Sequence, residues 1–178
     1  MIMRFGCLVF TLFTLIGFSY AQAQEQVPAG SDASAVEQAV SQFYQAAQGG
    51  WDYFKIDSGL ISEELAALLR LAQAVEKRSA REIEASDTPT DKPDIIEGAF
   101  FTPFYEGYTK VLAIDNVRKV RDTYLADVKL SYDTESKPTV WTDTAVLVWE
   151  DNSWKIDNIR FHSSETDSVK KNLYLFAE

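Results

Sequence analysis

Carboxylates and aromatic rings are crowded into one short stretch of this chain. Residues 95–108 read Ile-Ile-Glu-Gly-Ala-Phe-Phe-Thr-Pro-Phe-Tyr-Glu-Gly-Tyr. Two Glu-Gly pairs, Glu97-Gly98 and Glu106-Gly107, stand nine residues apart, and five aromatic residues fall between Phe100 and Tyr108. A glycine beside each carboxylate permits a bend or a positive φ there. The rings can bury a large apolar area in few residues. Such a segment could close the mouth of a pocket and present Glu97 and Glu106 to it, with Phe101, Thr102 and Tyr108 as lining. The same residues also fit a plainer arrangement, in which the glycines are turn residues, the rings are core and the glutamates bond backbone amides.

A third carboxylate is Asp143. By strand parity it shares a face with Trp141, Ala145, Leu147 and Trp149. A carboxylate among apolar neighbours has its pKa raised and can serve as a general acid or base. Glu97 or Glu106 could then be the second group. The structural alternative is a strand-end residue bonded to a neighbouring strand or loop. The chain has one histidine, His162, so multi-histidine metal sites are excluded by counting. No G-x-S-x-G elbow is present, and His162 reads more simply as a hydrogen-bonded or surface residue than as a base. No metal and no cofactor are expected.

The elements that position these groups are legible from periodicity. Helix one follows Ser34, with Glu37 at capping-box spacing. Its apolar face is Val36, Val40, Phe43, Tyr44 and Ala47, and Gly49-Gly50 supply the stop. An aromatic-rich connector covers residues 51–60. Helix two starts at Ser62, with Glu63 and Glu64 in its first turn. Its stripe is Leu65, Leu68, Leu69, Ala72 and Val75, and it runs to about Glu84. Residues 86–94 are a loop by proline and turn chemistry.

From residue 108 onward the period changes to two. Residues 108–121 are a further long strand. Residues 123–132 alternate, with Tyr124, Ala126, Val128 and Leu130 inward. Residues 133–138 form a polar turn. Residues 140–149 are apolar enough to be a central strand covered on both sides. Asp151-Asn152 is a hairpin turn needing positive φ. In residues 153–162, Trp154 and Ile156 have one parity and Ile159 and Phe161 the other, so a bulge near Asp157-Asn158 is expected. Residues 168–176 make a short terminal helix. Helices followed by about four antiparallel strands form an α+β domain, with two helices packed on a curved sheet. A bent sheet over helices leaves a cone whose open end is a usual pocket site.

Residues 1–23 read as a secretory signal peptide. Arg4 is followed by an apolar run over residues 5–18 and by Ala21-Gln22-Ala23, an A-x-A cleavage site. The run is 14 residues, short of the roughly 20 that a spanning helix needs. No membrane anchor is therefore expected after cleavage. Cys7 stands near the start of the run instead of closing it, and it lacks the aliphatic context of a lipobox. It leaves with the signal peptide, which excludes disulfides and thiolate chemistry from the mature chain. Residues 24–33 form a flexible lead, and residues 34–178 one domain. The whole chain has a formal net charge of −10. Loss of Arg4 makes the mature charge −11, because all 27 acidic residues lie beyond residue 23. Nucleic acid and anionic membrane surfaces are poor partners for such a chain. Arg118-Lys119 with Arg121 is the one local basic cluster, and it reads as a solvated strand end.

With Pro93 before it, the 95–108 segment resembles the Pro…Glu-Gly…Phe-Thr…Glu-Gly signature of exported bacterial proteins of the domain-of-unknown-function 3828 family. The segments Thr139-Val140-Trp141-Thr142-Asp143, Trp154-Lys155-Ile156-Asp157-Asn158-Ile159 and Ser62-Glu63-Glu64-Leu65 are similar to that family's other motifs. Asn152 and Asn158 depart from it, standing where Gly and Asp are common. The resemblance implies a cone-shaped fold similar to nuclear transport factor 2 and ketosteroid isomerase. It implies no activity and carries over no catalytic residue.

The leading expectation is a periplasmic or secreted binding domain without catalysis. Its partner would be a small ligand or an exported or envelope protein. Glu97, Phe101, Thr102, Glu106, Tyr108, Trp141 and Asp143 are the candidate pocket residues. The alternatives are a pocket enzyme using carboxylate acid–base chemistry, and a structural or assembly protein of the envelope, for example a homodimer packed through the open sheet face.

Overall fold

A computed structural model describes residues 32–50, 55–134, 137–162 and 167–178. The expected signal peptide with Cys7, the lead up to residue 31 and residues 51–54 of the connector lie outside the described residues. Helices α1 (Asp32–Ala46) and α2 (Glu63–Glu84) precede strands β1 (Lys110–Val120), β2 (Thr123–Tyr132), β3 (Thr139–Glu150) and β4 (Ser153–Phe161), and α3 (Val169–Ala177) follows. The strands form one antiparallel sheet in the order β1-β2-β3-β4. The architecture is α+β.

Both long helices form because their apolar residues recur at helical spacing. Val36, Val40, Phe43 and Tyr44 are the buried face of α1, and Leu65, Leu68, Leu69, Ala72 and Val75 belong to that of α2. One capping detail differs from the sequence expectation. α1 begins at Asp32, so Ser34 sits exposed inside its first turn instead of capping it. Asp32 places a carboxylate at the positive end of the helix dipole and accepts a hydrogen bond from the Tyr124 hydroxyl (3.2 Å). Ser62 does cap α2, its Oγ accepting from Leu65 N at 3.0 Å. The helices pack on the inner face of the sheet, where Ala126, Val128, Leu130, Ala145, Leu147, Ile156 and Ile159 are fully buried.

Two backbone features shape the sheet. Asp151 (φ 51°) and Asn152 (φ 61°) turn the β3–β4 hairpin with the positive φ that a two-residue type I′ turn requires. Further along β4, Val146 pairs with Asn158 and Leu147 with Ile156, which leaves Asp157 as an extra residue. This bulge resets the alternation, so Trp154, Ile156, Ile159 and Phe161 all join one core. β1 carries two further irregularities, and Asn116 adopts φ 51° at the second. The middle of β3 is buried on both faces. Opposite Ala145 and Leu147, its outer face carries the buried Thr144 and Val146, with the equally buried Leu125 directly across from Val146.

The bulge also ties the helices to the sheet. Asp157 Oδ1 accepts from Ser62 Oγ (2.7 Å) and from Lys170 Nζ (2.6 Å). Asn158 Oδ1 accepts from Lys170 N (3.0 Å), at the start of α3. Ser62 N donates to Ile156 O and Ile156 N to Leu60 O, so the segment before α2 runs parallel along the free edge of β4. Burial by itself would lower the pKa of the Lys170 amine. Its bonds to Asp157 and Glu64 outweigh that and hold it above its ordinary value.

Replacing Asp157 by Ala leaves the buried Ser62 hydroxyl and the largely buried Lys170 amine short of an acceptor. An unsatisfied buried group costs about 1–3 kcal/mol, and more when it is charged. Asp157→Ala is therefore expected to lower unfolding free energy by roughly 2–4 kcal/mol in urea titrations followed by circular dichroism. A loss below about 0.5 kcal/mol would show that the bulge carboxylate is not a tie.

Candidate functional site

The 95–108 segment is held at both ends and folded back on itself. Near its start, Asp94 N donates to Ser79 Oγ (2.9 Å) and Ile96 N to Glu76 Oε1 (2.8 Å), both on α2. Its centre is tied to the end of α1. Gly49 (φ 80°) and Gly50 (φ 94°) direct their carbonyls to Tyr108 N (3.2 Å) and Phe100 N (2.8 Å). Residues with a Cβ rarely adopt such φ values, so this diglycine sets the path of the loop as well as ending the helix. Ala99 N donates to Tyr105 O (2.9 Å) and closes the loop. Gly98, at φ 76°, lies under the Tyr105 ring, and a Cβ there would come within 2.6 Å of Tyr105 Cδ2.

Within this loop the candidate residues part company. Phe101 is a core residue, fully buried, with its ring 5.0 Å from that of Phe43. Tyr108 is also buried, and its hydroxyl donates to Tyr44 O (2.7 Å). Burial pushes the Tyr108 phenol well above its ordinary pKa. These two rings anchor the loop and do not line the cavity between the loop and α3. Glu106 is exposed and lies away from the cavity, so the two glutamates are not presented together. The chain reverses between them, closed by the Ala99 N–Tyr105 O bond, and of the two only Glu97 lines the cavity. Glu97 and Thr102 do line the cavity. Glu97 is ion-paired with Lys92, and Thr102 Oγ1 accepts from Phe104 N (3.4 Å).

The cavity has a volume of about 630 Å³ and is open to solvent. It lies between the 95–105 loop, Phe161 at the end of β4, and Asn172 and Phe176 of α3. The contribution of α3 was not foreseen from the sequence. Its one local signal is the spacing of Val169, Leu173 and Phe176, which puts Phe176 on the inward side of that helix.

Asp143 is fully buried on the inner face of β3, beside Ala145 and Leu147. It accepts from Trp141 Nε1 (3.0 Å) and from His162 N (3.4 Å). Burial raises its pKa to about 6, and these two hydrogen bonds offset part of that rise. The buried Tyr44 hydroxyl has no hydrogen-bond partner among the described residues. Burial first, and then the nearby Asp143 charge, push its phenol far above the ordinary pKa, so it stays protonated. Neither Asp143 nor Trp141 lines the cavity. Phe161, directly across from Asp143, and Phe104, packed at a tilt with its ring 4.5 Å from that of Trp141, stand in front of them and form part of its wall.

A second polar group sits on the outer face of the sheet. Asp127 accepts from Thr144 Oγ1 (2.9 Å), Asn116 Nδ2 (3.1 Å) and Arg118 Nη1 (3.2 Å). Burial by itself would raise the Asp127 pKa, but these bonds hold it below the ordinary value. Thr144 Oγ1 also lies 2.8 Å from His162 Nε2. The single hydroxyl proton of Thr144 goes to the carboxylate, which accepts only, so Nε2 of His162 carries the hydrogen. The basic Arg118 is thereby neutralised on its own sheet face.

Among the described residues no cluster of histidine, cysteine or carboxylate side chains has the geometry to hold a metal ion. No described helix is long and apolar enough to cross a membrane. Comparison with protein-family models, with curated proteins and with solved structures found no match for this chain.

The Asp143 carboxyl makes a signed prediction about pH. Its folded pKa of about 6 lies above the ordinary 3.8, so the folded state binds this proton more tightly than the unfolded state. The stability it contributes is full below about pH 4, falls as pH rises towards 6 and is then level. The total change is about 3 kcal/mol. Asp143→Asn keeps an acceptor without the charge. Urea unfolding between pH 4 and 8 is expected to show the variant matching or exceeding the wild type above pH 6, with this slope gone. A variant markedly less stable at pH 7.5 would mean that the ionised carboxylate is favourable where it lies.

Proposed function

We propose that this chain is an exported binding domain without catalysis, and that the cleft between the 95–105 loop and α3 is its ligand site. The observation that carries this reading is the cavity. Its volume of about 630 Å³ falls within the roughly 300–1,000 Å³ typical of small-molecule sites. Its lining includes four phenylalanines, Phe100, Phe104, Phe161 and Phe176, with Thr102, Asn172 and two carboxylates to orient a ligand. The loop that forms one side is tied down at Gly49, Gly50, Ser79 and Glu76, so little ordering is left for a ligand to impose. A cone similar to nuclear transport factor 2, as the family resemblance implies, would place a pocket at such an end. The β4 bulge and the β1 irregularities support a curved sheet. Export to the periplasm or the medium follows from the leader over residues 1–23.

An acid–base enzyme is the second reading, and Asp143 favours it. Its pKa of about 6 suits proton transfer near neutrality. Against it stands the position of the carboxyl behind Phe104, Phe161 and Trp141, with no surface of its own exposed. A base must come within hydrogen-bond reach of its substrate.

The binding reading is tested by ligand-observed NMR with a fragment set of mixed charge, alongside native mass spectrometry of the protein from its own cells. Fragments carrying a ring are expected to bind. Phe176 is only partly buried, so Phe176→Ala should spare the fold and weaken those fragments about tenfold. If no fragment binds, or if Phe176→Ala leaves every affinity unchanged, the cleft is not a ligand site.

A further inference from the structure

The lining of the cavity has a consistent electrical character. Five rings contribute to it: Phe100, Phe104, Tyr105, Phe161 and Phe176. Among the described residues the only charged side chains that line it are Glu97 and Asp167, both acidic, and no lysine or arginine does. An aromatic face is the negative end of a quadrupole and attracts a cation within about 6 Å of its centre. Rings and carboxylates therefore favour the same sign of ligand. An anion meets two carboxylates there, on a chain whose formal net charge is −10.

We propose that the cavity takes a small organic cation, an alkyl- or aryl-ammonium, with its apolar arm on the phenylalanine wall and its charge facing Glu97 and Asp167. This rests on the reading of the cavity as a ligand site.

Two lysines compete for the same carboxylates, and both are weak competitors. Lys92 pairs with Glu97, and Lys171 with Asp167 (2.9 Å), and neither lysine lines the cavity. The side chains of these two lysines are 65% and 43% exposed. Ion pairs between solvated groups are weakly held. A cation already resting on the rings exchanges with them at small cost. The wall is also braced: Phe104 packs against Trp141 at 4.5 Å, and the Phe100 ring lies 5.5 Å from that of Phe101.

The test compares three benzyl probes by calorimetry on the intact protein: benzyltrimethylammonium, its uncharged isostere neopentylbenzene, and the anion phenylacetate. The cation is expected to bind at least about tenfold more tightly than the isostere, as a partly desolvated cation–π contact assisted by carboxylates allows. That preference should fall about threefold to tenfold in the Glu97→Gln/Asp167→Asn double variant. It should also fall when salt rises from about 0.02 to about 0.5 M. Glu97 is exposed and Asp167 half-buried, both substitutions keep the side-chain shape, and salt gives a readout that needs no variant. Equal affinity for cation and isostere would overturn the proposal and leave the ligand site standing. So would a preference for phenylacetate, or a cation preference that the double variant and salt both leave intact. Failure of all three probes to bind would overturn the proposal and the ligand-site reading together.

Discussion

One extra residue in β4 governs how this molecule is assembled. Without Asp157 as a bulge, a regular strand would turn Ile159 and Phe161 to the face opposite Trp154 and Ile156. With it, all four enter the same core. The same residue turns a carboxylate toward the beginnings of two helices. Ser62, which caps α2, and Lys170, in the first turn of α3, both donate to it. A single irregularity thus sets the inward face of an edge strand and the seats of two helices. Because α3 and Phe161 form one side of the cleft, the shape of the candidate site depends on it as well.

The opposite side of the cleft depends on a second backbone device. Gly49 and Gly50 offer their carbonyls to the 100–108 loop only because both adopt positive φ. Phe101 and Tyr108 then drive inward and pack against α1, leaving Phe100, Thr102 and Phe104 for the cleft. Anchoring residues and lining residues therefore alternate within a few positions of one loop. Their aromatic character is shared, and only the path of the chain separates their roles.

Buried polar groups are handled differently on the two faces of the sheet. On the outer face Asp127 is satisfied by three side-chain donors, and its pKa is held low. On the inner face Asp143 has two donors in an apolar setting, and burial prevails. Nearby, the Tyr44 hydroxyl has no partner among the described residues. A carboxyl with fewer donors in a drier place keeps its proton to higher pH. The chain retains that cost in the interior, one side chain behind the cleft wall.

The amino-acid sequence by itself determined what depends on neighbours a few residues away. The helical stripes of α1 and α2, the alternation in β2, the positive φ at Asp151-Asn152 and the phase change at Asp157 are all visible in it, because periods of 3.6 and 2 are local properties. α1 starts at Asp32, three residues before the first helical position that a Ser34 cap predicts, since Asp32 and Ser34 both suit a helix N-terminus and capping chemistry alone does not choose between them. The sequence also singled out Glu97, Thr102 and Asp143 by residue type. What only the tertiary structure decided is which of the candidates meet. Phe101, Tyr108 and Asp143 went to the interior, Glu106 to the surface, and Glu97 and Thr102 to a cleft completed by Phe161, Asn172 and Phe176. The physical reason is the range of the contacts. The bond that seats α2 on the bulge joins residues 95 apart in the chain, and no pattern confined to a turn or a strand encodes where such partners will lie.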